Sequence, residues 1–240
     1  MVTTNDILNF AGNHKVFSRK ELIANLKSQN QLENPASLSE QLNRLLKSGQ
    51  LIRLERGIYT LPDKTKNDFS ILCSEEMKKI NLQLKTQFPF ADYCIWLGST
   101  LLPYMHHIPS LSFMLVDVER EVAESVFNLL NSDSSKRVYL MPSSTDFERY
   151  INTNEAIIIR PLISESPLQL VDGIKTPTIE KILVDIAGDV EFSFLQGVEI
   201  NYVYNTIFEK HNVNKNKLLR YASRRGRKQL VENLLKTNKL

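Results

Sequence analysis

The sequence contains little of what membrane, secreted or zinc-binding proteins need. Its 240 residues include two cysteines, Cys73 and Cys94, which form no CxxC pair and lie at no zinc-ligand spacing. We therefore expect both to be buried free thiols. No run of about 18 apolar residues is present, and no charged and then apolar leader opens the chain. These absences predict a soluble, cytoplasmic protein that makes no contact with a membrane.

Signatures of catalysis are also scarce. The sequence has no glycine-rich phosphate loop and no Ser-His-Asp or Cys-His order that would mark a nucleophile. His106 and His107 are adjacent, so their side chains point in different directions, and we interpret them as loop residues rather than metal ligands. We therefore assign no catalytic residue, no metal and no cofactor from the sequence.

One pair of acidic residues keeps an enzymatic alternative open. Gly98-Ser99 could form a phosphate-binding turn, and Asp117 and Glu119 are expected on one face of a predicted strand. Two such carboxylates could share a metal ion in a nucleotidyltransferase. Because 17 residues separate Ser99 from Asp117 and no third carboxylate is evident, surface acids at a strand end explain the pair at least as well.

Charge is unevenly distributed, although the net charge is only +3. Residues 1–66 contain 10 Lys and Arg against 6 Asp and Glu, and residues 211–240 contain 9 against 1, which gives +4 and +8. The middle of the chain contains 11 against 20, which gives −9. The basic ends would attract a polyanion such as DNA, whereas the acidic middle would repel it.

Residues 37–61 are typical of a DNA-reading unit, with an amphipathic helix followed by a basic hairpin. Gly49 occupies a position for a left-handed helix stop, and Gly57 marks a turn between two strands. The apolar stripe of the helix consists of Leu38, Leu42, Leu45 and Leu46. The outer face and the hairpin carry the candidate DNA-binding residues Ser39, Gln41, Asn43, Arg44, Lys47, Arg53 and Arg56.

The preceding segment completes this unit. A short helix is expected around Asp6–Phe10, and Ser18 with Glu21 forms a capping box that opens a second helix. Three helices and a two-stranded wing predict a winged helix-turn-helix over residues 1–62. The alternatives are a small helical subdomain that packs on the rest of the chain and a winged helix that serves only as a protein-binding module.

The rest of the chain predicts a mixed α/β domain over residues 69–240. The polar run 62–68 breaks periodicity and marks the boundary, and strands then alternate with helices until the chain turns helical after Val198. The fold class is therefore α+β, with an N-terminal winged helix-turn-helix, a mixed α/β domain and a basic helical tail over 211–240. The tail's candidate second nucleic-acid surface is formed by Lys217, Arg220, Arg224, Arg225, Arg227 and Lys228. Docking of these cations onto the acidic middle of the same chain is the competing interpretation.

Three stretches, in this order, resemble the AbiEi-type antitoxins of bacterial abortive-infection systems, which belong to the type IV toxin-antitoxin systems. The stretches are the hairpin phrase Leu46–Tyr59, the proline-started segment Lys175–Asp185 and the basic segment Asn214–Lys228. The resemblance extends over nearly the whole chain, but residues 88–161 contain no strong family phrase.

This resemblance implies a non-enzymatic protein that binds double-stranded DNA at its own operator and represses its operon. It also implies a functional partner, a nucleotidyltransferase-like toxin, that the antitoxin opposes without needing a stable complex. Two alternatives remain open: a nucleotidyltransferase-like enzyme with a DNA-binding domain, and a winged-helix regulator whose α/β domain senses a ligand.

Overall fold

The computed structural model describes residues 3–14, 16–30, 35–62, 66–107, 111–151 and 155–240, without the side chains of Pro35, Leu54 and Glu55. The chain divides into two compact units. Unit 1 comprises residues 1–67 and 210–216, and unit 2 comprises residues 68–209 and 217–240. The division into domains 1–62 and 69–240 stays a prediction.

Unit 1 combines three helices with a small antiparallel sheet of strand order β1-β3-β2. Its elements are α1 (Thr4–Gly12), β1 (Phe17–Ser18), α2 (Arg19–Ser28), α3 (Pro35–Lys47), β2 (Ile52–Glu55) and β3 (Ile58–Thr60). The core is formed by apolar residues of all three helices together with Phe17, Leu51 and Tyr59. Burial of this shared face holds the helices against the sheet.

Local signals explain where the elements of unit 1 begin and end. The capping box at α2 is confirmed, because Ser18 Oγ accepts from the Glu21 amide at 3.1 Å and Glu21 Oε2 accepts from the Ser18 amide at 2.6 Å. Gly49 follows α3 with φ of +70°, and Gly57 lies in the β2–β3 turn with φ of +82°. Both conformations are left-handed and favour glycine.

Unit 2 contains the longer strands and the remaining helices. Its strands are β4 (Tyr93–Leu97), β5 (Phe113–Val118), β6 (Arg137–Leu140), β7 (Ala156–Pro161), β8 (Leu168–Val171) and β9 (Ile174–Pro177). The helices that lie wholly or mostly in it are α4 (Glu75–Gln87), α5 (Ala123–Asp133), α6 (Ser144–Asp146), α7 (Ile179–Ile186), α8 (Val198–Lys210), α9 (Lys215–Arg224) and α10 (Lys228–Thr237). The mixed α/β character predicted for this region is confirmed.

The central sheet of unit 2 has the order β4-β5-β7-β6. Strand β4 is antiparallel to β5, whereas β7 runs parallel to both β5 and β6. A separate hairpin joins β8 to β9 through Asp172 and Gly173, both with positive φ, as the Asp-Gly pair predicts. Side chains alternate across the sheet, so Cys94, Asp117 and Arg160, which are partners in register, share one face.

Two expectations from the sequence are corrected in unit 2. Strand β5 ends at Val118, and Glu119 precedes the 3₁₀ turn Arg120–Val122, so strand alternation does not place Glu119 beside Asp117. Cys94 is buried as expected, but Cys73 is only partly buried. Among the described residues, no helix is both long and apolar enough to cross a membrane.

Candidate nucleic-acid interface

Helix α3 separates an apolar face from a polar one, as its leucine spacing predicts. Leu38, Leu42 and Leu45 are buried in the core of unit 1. On the opposite face, the exposed side chains are Asn43, Arg44 and Lys47, and the half-buried ones are Ser39 and Gln41. Arg44 and Lys47 therefore present positive charge to solvent near the C-terminal end of α3, where cations also complement the helix dipole.

The hairpin of unit 1 adds two further exposed cations. Arg53 lies in β2, and Arg56 lies in the tight turn just before Gly57. The register pairs Arg53 with Tyr59, whose side chain is buried in the core. This pairing fixes the hairpin to the body of unit 1, so the cations of the hairpin are carried on an anchored strand and turn.

Arg19, the first residue of α2, links α3 to the turn of the hairpin. Its backbone amide donates to the Gly57 carbonyl at 2.7 Å, and its guanidinium Nη2 donates to Ser39 Oγ at 2.7 Å. Arg19 was not among the residues predicted from the sequence, because its partner Ser39 is 20 residues away along the chain. A signal was nevertheless present, since Arg19 is the first residue after the α2 N-cap Ser18.

Unit 2 contains a second charged assembly, which is largely buried and which we call the ionic cluster. Its members are Asp117, Arg160, Lys181, Asp185, Asp189, Glu191, Arg225 and Arg227. At its centre, the Asp117 carboxylate lies 2.7 Å from Arg160 Nε and 2.6 Å from Lys181 Nζ. Lys181 Nζ is also 2.6 Å from Asp185 Oδ2, one helical turn along α7. Acidic and basic side chains are equal in number, so the cluster is neutral when all are ionised.

Electrostatics within the cluster follow from burial and pairing. Burial acts to raise the pKa of Asp117, but the charges and hydrogen bonds of Arg160 and Lys181 outweigh it and lower that pKa to about 2. Burial opposes the charged forms of Arg160 and Lys181, yet the neighbouring carboxylates hold both pKa values well above the ordinary ones. Glu191 behaves differently, because burial outweighs its 3.4 Å contact with Arg160 and raises its pKa.

Two predicted tail residues belong to this cluster. Arg225 and Arg227 both pair with Asp189, which is also 3.1 Å from Arg160 Nη1, and Arg227 Nη2 donates to the Gly188 carbonyl at 2.9 Å. Their side chains are only 14% and 20% exposed. The contacts are those expected when tail cations dock onto acids of the middle region.

The other tail cations lie further out. Arg220 and Arg224 are 68% and 50% exposed, and both approach the exposed carboxylate of Glu165. Lys217 is 3.6 Å from Glu180, and Lys228 is 3.7 Å from Glu232. The predicted tail surface therefore divides into an inner pair, Arg225 and Arg227, and an outer group, Lys217, Arg220, Arg224 and Lys228.

The residues of the nucleotidyltransferase alternative do not form a metal site. The two carboxylate oxygens of Asp117 pair with Arg160 and Lys181. Glu119 lies beyond the end of β5 and therefore does not share the strand face of Asp117. Gly98 is buried, and a Cβ at this position would lie 2.8 Å from the Phe113 ring. A glycine is needed here for close packing of that ring. His107, meanwhile, pairs with Glu199 at 3.1 Å, and its neighbour His106 packs near the Tyr202 ring.

The molecule thus has a mixed α/β fold with a small helical unit that exposes a cluster of cations. Residues 5–62 match the family model described as "Transcriptional regulator, AbiEi antitoxin", so the resemblance predicted from the sequence is confirmed for this region. The chain belongs to a family described as "Family of unknown function (DUF6577)", whose model matches residues 37–240. The AbiEi match does not extend to Lys175–Asp185 or Asn214–Lys228, on which the predicted resemblance also drew.

No curated protein matches the chain. Among solved structures, the RV2827C protein from Mycobacterium tuberculosis is similar with a TM-score of 0.34 and 11% sequence identity. That alignment covers 97% of this chain and 80% of the mycobacterial chain.

Proposed function

We propose that the protein is a DNA-binding antitoxin that represses its own toxin-antitoxin operon and opposes a nucleotidyltransferase-like toxin. The observation that carries the proposal is the AbiEi regulator match at residues 5–62, which coincides with the helices and hairpin that expose Arg44, Lys47 and Arg53. Cations on one helix face and an adjoining hairpin suit a polyanionic duplex. The protein would act in the cytoplasm, where its operator lies.

In this proposal, unit 1 is a winged helix-turn-helix. Helix α3 is the recognition helix, with Gln41, Asn43 and Arg44 reading base edges, and the hairpin β2–β3 is the wing, with Arg53 and Arg56 contacting phosphates. Asparagine and glutamine pair well with adenine in the major groove, and arginine pairs well with guanine. Lys47, at the end of α3, completes the phosphate contacts.

Unit 2 would then provide the antitoxin activity, with no stable complex required. Its outer tail cations offer a surface for the toxin or for a second nucleic-acid segment, and the inner pair positions that surface through Asp189. We propose no enzymatic activity, cofactor or metal, because the acid that a nucleotidyltransferase would use, Asp117, is occupied by Arg160 and Lys181.

The test of DNA binding uses the full chain and a duplex from the region upstream of its gene. The Arg44→Ala, Arg53→Ala double variant should bind more weakly, and each lost phosphate contact should reduce the slope of log affinity against log salt by about 0.9. A matched control is the Lys78→Ala, Lys79→Ala double variant, which removes the same charge from exposed positions of α4. Unchanged binding by the Arg44, Arg53 variant would contradict the proposal.

The antitoxin half is tested by growth. Co-expression of the full chain with a neighbouring nucleotidyltransferase-like gene should restore growth, and the Arg44→Ala, Arg53→Ala variant should still do so, since it leaves unit 2 unchanged. A toxin that the intact chain does not neutralise would remove this half of the proposal while leaving DNA binding intact.

A further inference from the structure

Arg19 occupies the first position of α2 and contacts two other elements of unit 1. Its backbone amide bonds to the turn between β2 and β3, and its side chain bonds to Ser39 on α3, each at 2.7 Å. Ser39 is one helical turn before Asn43 on α3, and Gly57 directly follows Arg56. Arg19 is therefore tied to the hairpin turn through its backbone and to α3 through its guanidinium.

The hydrogen bonds of this guanidinium are incomplete. It has five N–H donors, of which Ser39 accepts one, and its buried Nε has no hydrogen-bond partner in the part of the chain that the structure describes. A buried donor without an acceptor is unfavourable, and a fork-shaped cation is well matched to a phosphate, which accepts several hydrogen bonds at once.

We infer that Arg19 is a phosphate-binding residue for the DNA backbone, and that Ser39 orients its guanidinium rather than reading a base. The inference rests on the proposed DNA binding of unit 1. Contacts to backbone phosphates fix the register of a protein on the duplex without reading its sequence. By binding a phosphate from a point tied to both α3 and the hairpin, Arg19 sets how α3 enters the groove.

The experiment compares full-length wild type and Arg19→Gln on two duplexes of equal length, one from the upstream region and one unrelated. Affinity for both duplexes should fall by the same factor, and the log-log salt slope should decrease by about 0.9, the change expected for one phosphate contact. Lys20→Gln is the matched control, because Lys20 is the next residue of α2 and is exposed. Its slope should stay at the wild-type value.

Two outcomes would overturn the inference while leaving the proposed function in place. In the first outcome, Arg19→Gln keeps the wild-type log-log salt slope although the Arg44→Ala, Arg53→Ala variant binds DNA more weakly than wild type. In the second outcome, Lys20→Gln changes the salt slope as much as Arg19→Gln does, which would show a general effect of charge. If wild type binds neither duplex, the proposed function and the inference both fail.

A second variant separates phosphate binding from a merely structural role. Ser39→Ala keeps the charge of Arg19 but frees its guanidinium, so it should bind both duplexes more weakly with an unchanged salt slope. If Arg19→Gln has a lower melting temperature than wild type, its weaker binding could reflect lost stability, and the inference is then tested by Ser39→Ala alone. Wild-type affinity of a well-folded Ser39→Ala would then overturn the inference.

Discussion

The carboxylate of Asp117 lies between two buried cations, with Oδ1 2.7 Å from Arg160 Nε and Oδ2 2.6 Å from Lys181 Nζ. Asp117 and Arg160 are register partners on the parallel strands β5 and β7, and Lys181 approaches from α7. The pair of contacts thus ties two strands and a helix together. An aspartate that could have served a metal ion instead holds the core of unit 2 together.

The first prediction is that Lys181→Met destabilises unit 2 by about 3–5 kcal/mol, the usual cost of leaving buried charges without their partner. Lys181 is 1% exposed, and its removal leaves Asp117 and Asp185 with one cation, Arg160. Denaturant unfolding measures the change. Lys78→Met, which breaks the exposed pair with Glu75, should leave the midpoint almost unmoved, and similar midpoints for the two variants would contradict the prediction.

The second prediction concerns pH and Glu191, whose pKa is raised by burial above the ordinary 4.5. The folded chain binds this proton more tightly than the unfolded chain, so Glu191 costs stability as pH rises from 4.5 through its raised pKa. Glu191→Gln has no proton to lose. Its free energy of unfolding, relative to wild type, should therefore increase across that window and level off above it.

Asp117→Asn provides the comparison of opposite sign. The folded pKa of Asp117 is lowered from 3.8 to about 2, so its ionised form contributes stability above 3.8 that is lost as pH falls towards 2. The free energy of unfolding of Asp117→Asn should accordingly be lower than that of wild type, and this difference should shrink as the pH falls. A pH-independent difference for Glu191→Gln would show that its carboxyl titrates alike in the folded and unfolded chain.

Local signals in the sequence predicted local structure well, but they could not predict contacts between segments that are distant in the chain. The capping box at Ser18 and the turn at Asp172-Gly173 depend on residues that are neighbours in the chain, so each could be identified directly. The strand order β4-β5-β7-β6 could not, because it depends on pairings between distant segments. The ionic cluster was missed for the same reason, although Lys181 and Asp185, four residues apart in an apolar helix, offered a hint.

The candidate interface shows the same division. Exposure of Asn43, Arg44 and Lys47 followed from the leucine spacing of α3 alone. The contact between Arg19 and Ser39 depends on how α2 packs against α3, which no periodicity reveals. In the tail, helical spacing suggested one basic stripe, but α9 ends at Arg224, and the turn that follows directs Arg225 and Arg227 to Asp189.

The third prediction tests the Gly-Ser turn at Gly98. Gly98→Ala should destabilise the protein by about 1–3 kcal/mol, the usual cost of overpacking, because its Cβ would lie 2.8 Å from the Phe113 ring. Gly12→Ala is a suitable control, since among the described residues, apart from its chain neighbours and the backbone of its own helix, no atom would lie within 4 Å of its Cβ. Combining Gly98→Ala with Phe113→Leu should cost less than the sum of the two changes. Strict additivity in thermal unfolding would rule out the steric explanation.

The last prediction distinguishes a structural role of the inner pair of the basic tail from a functional role of its outer group. Two double variants each remove two positive charges, one from the inner pair and one from the outer group. Arg225→Gln with Arg227→Gln takes both tail partners from Asp189, which is 9% exposed, so the melting temperature should fall. Arg220→Gln with Arg224→Gln removes the same charge from side chains that are 68% and 50% exposed, so the melting temperature should stay near that of wild type. The outer variant should instead lose toxin neutralisation, or bind DNA with a shallower salt slope. If it keeps wild-type stability, DNA binding and antitoxicity, the outer cations have no part in function, and the tail serves only to close the ionic cluster.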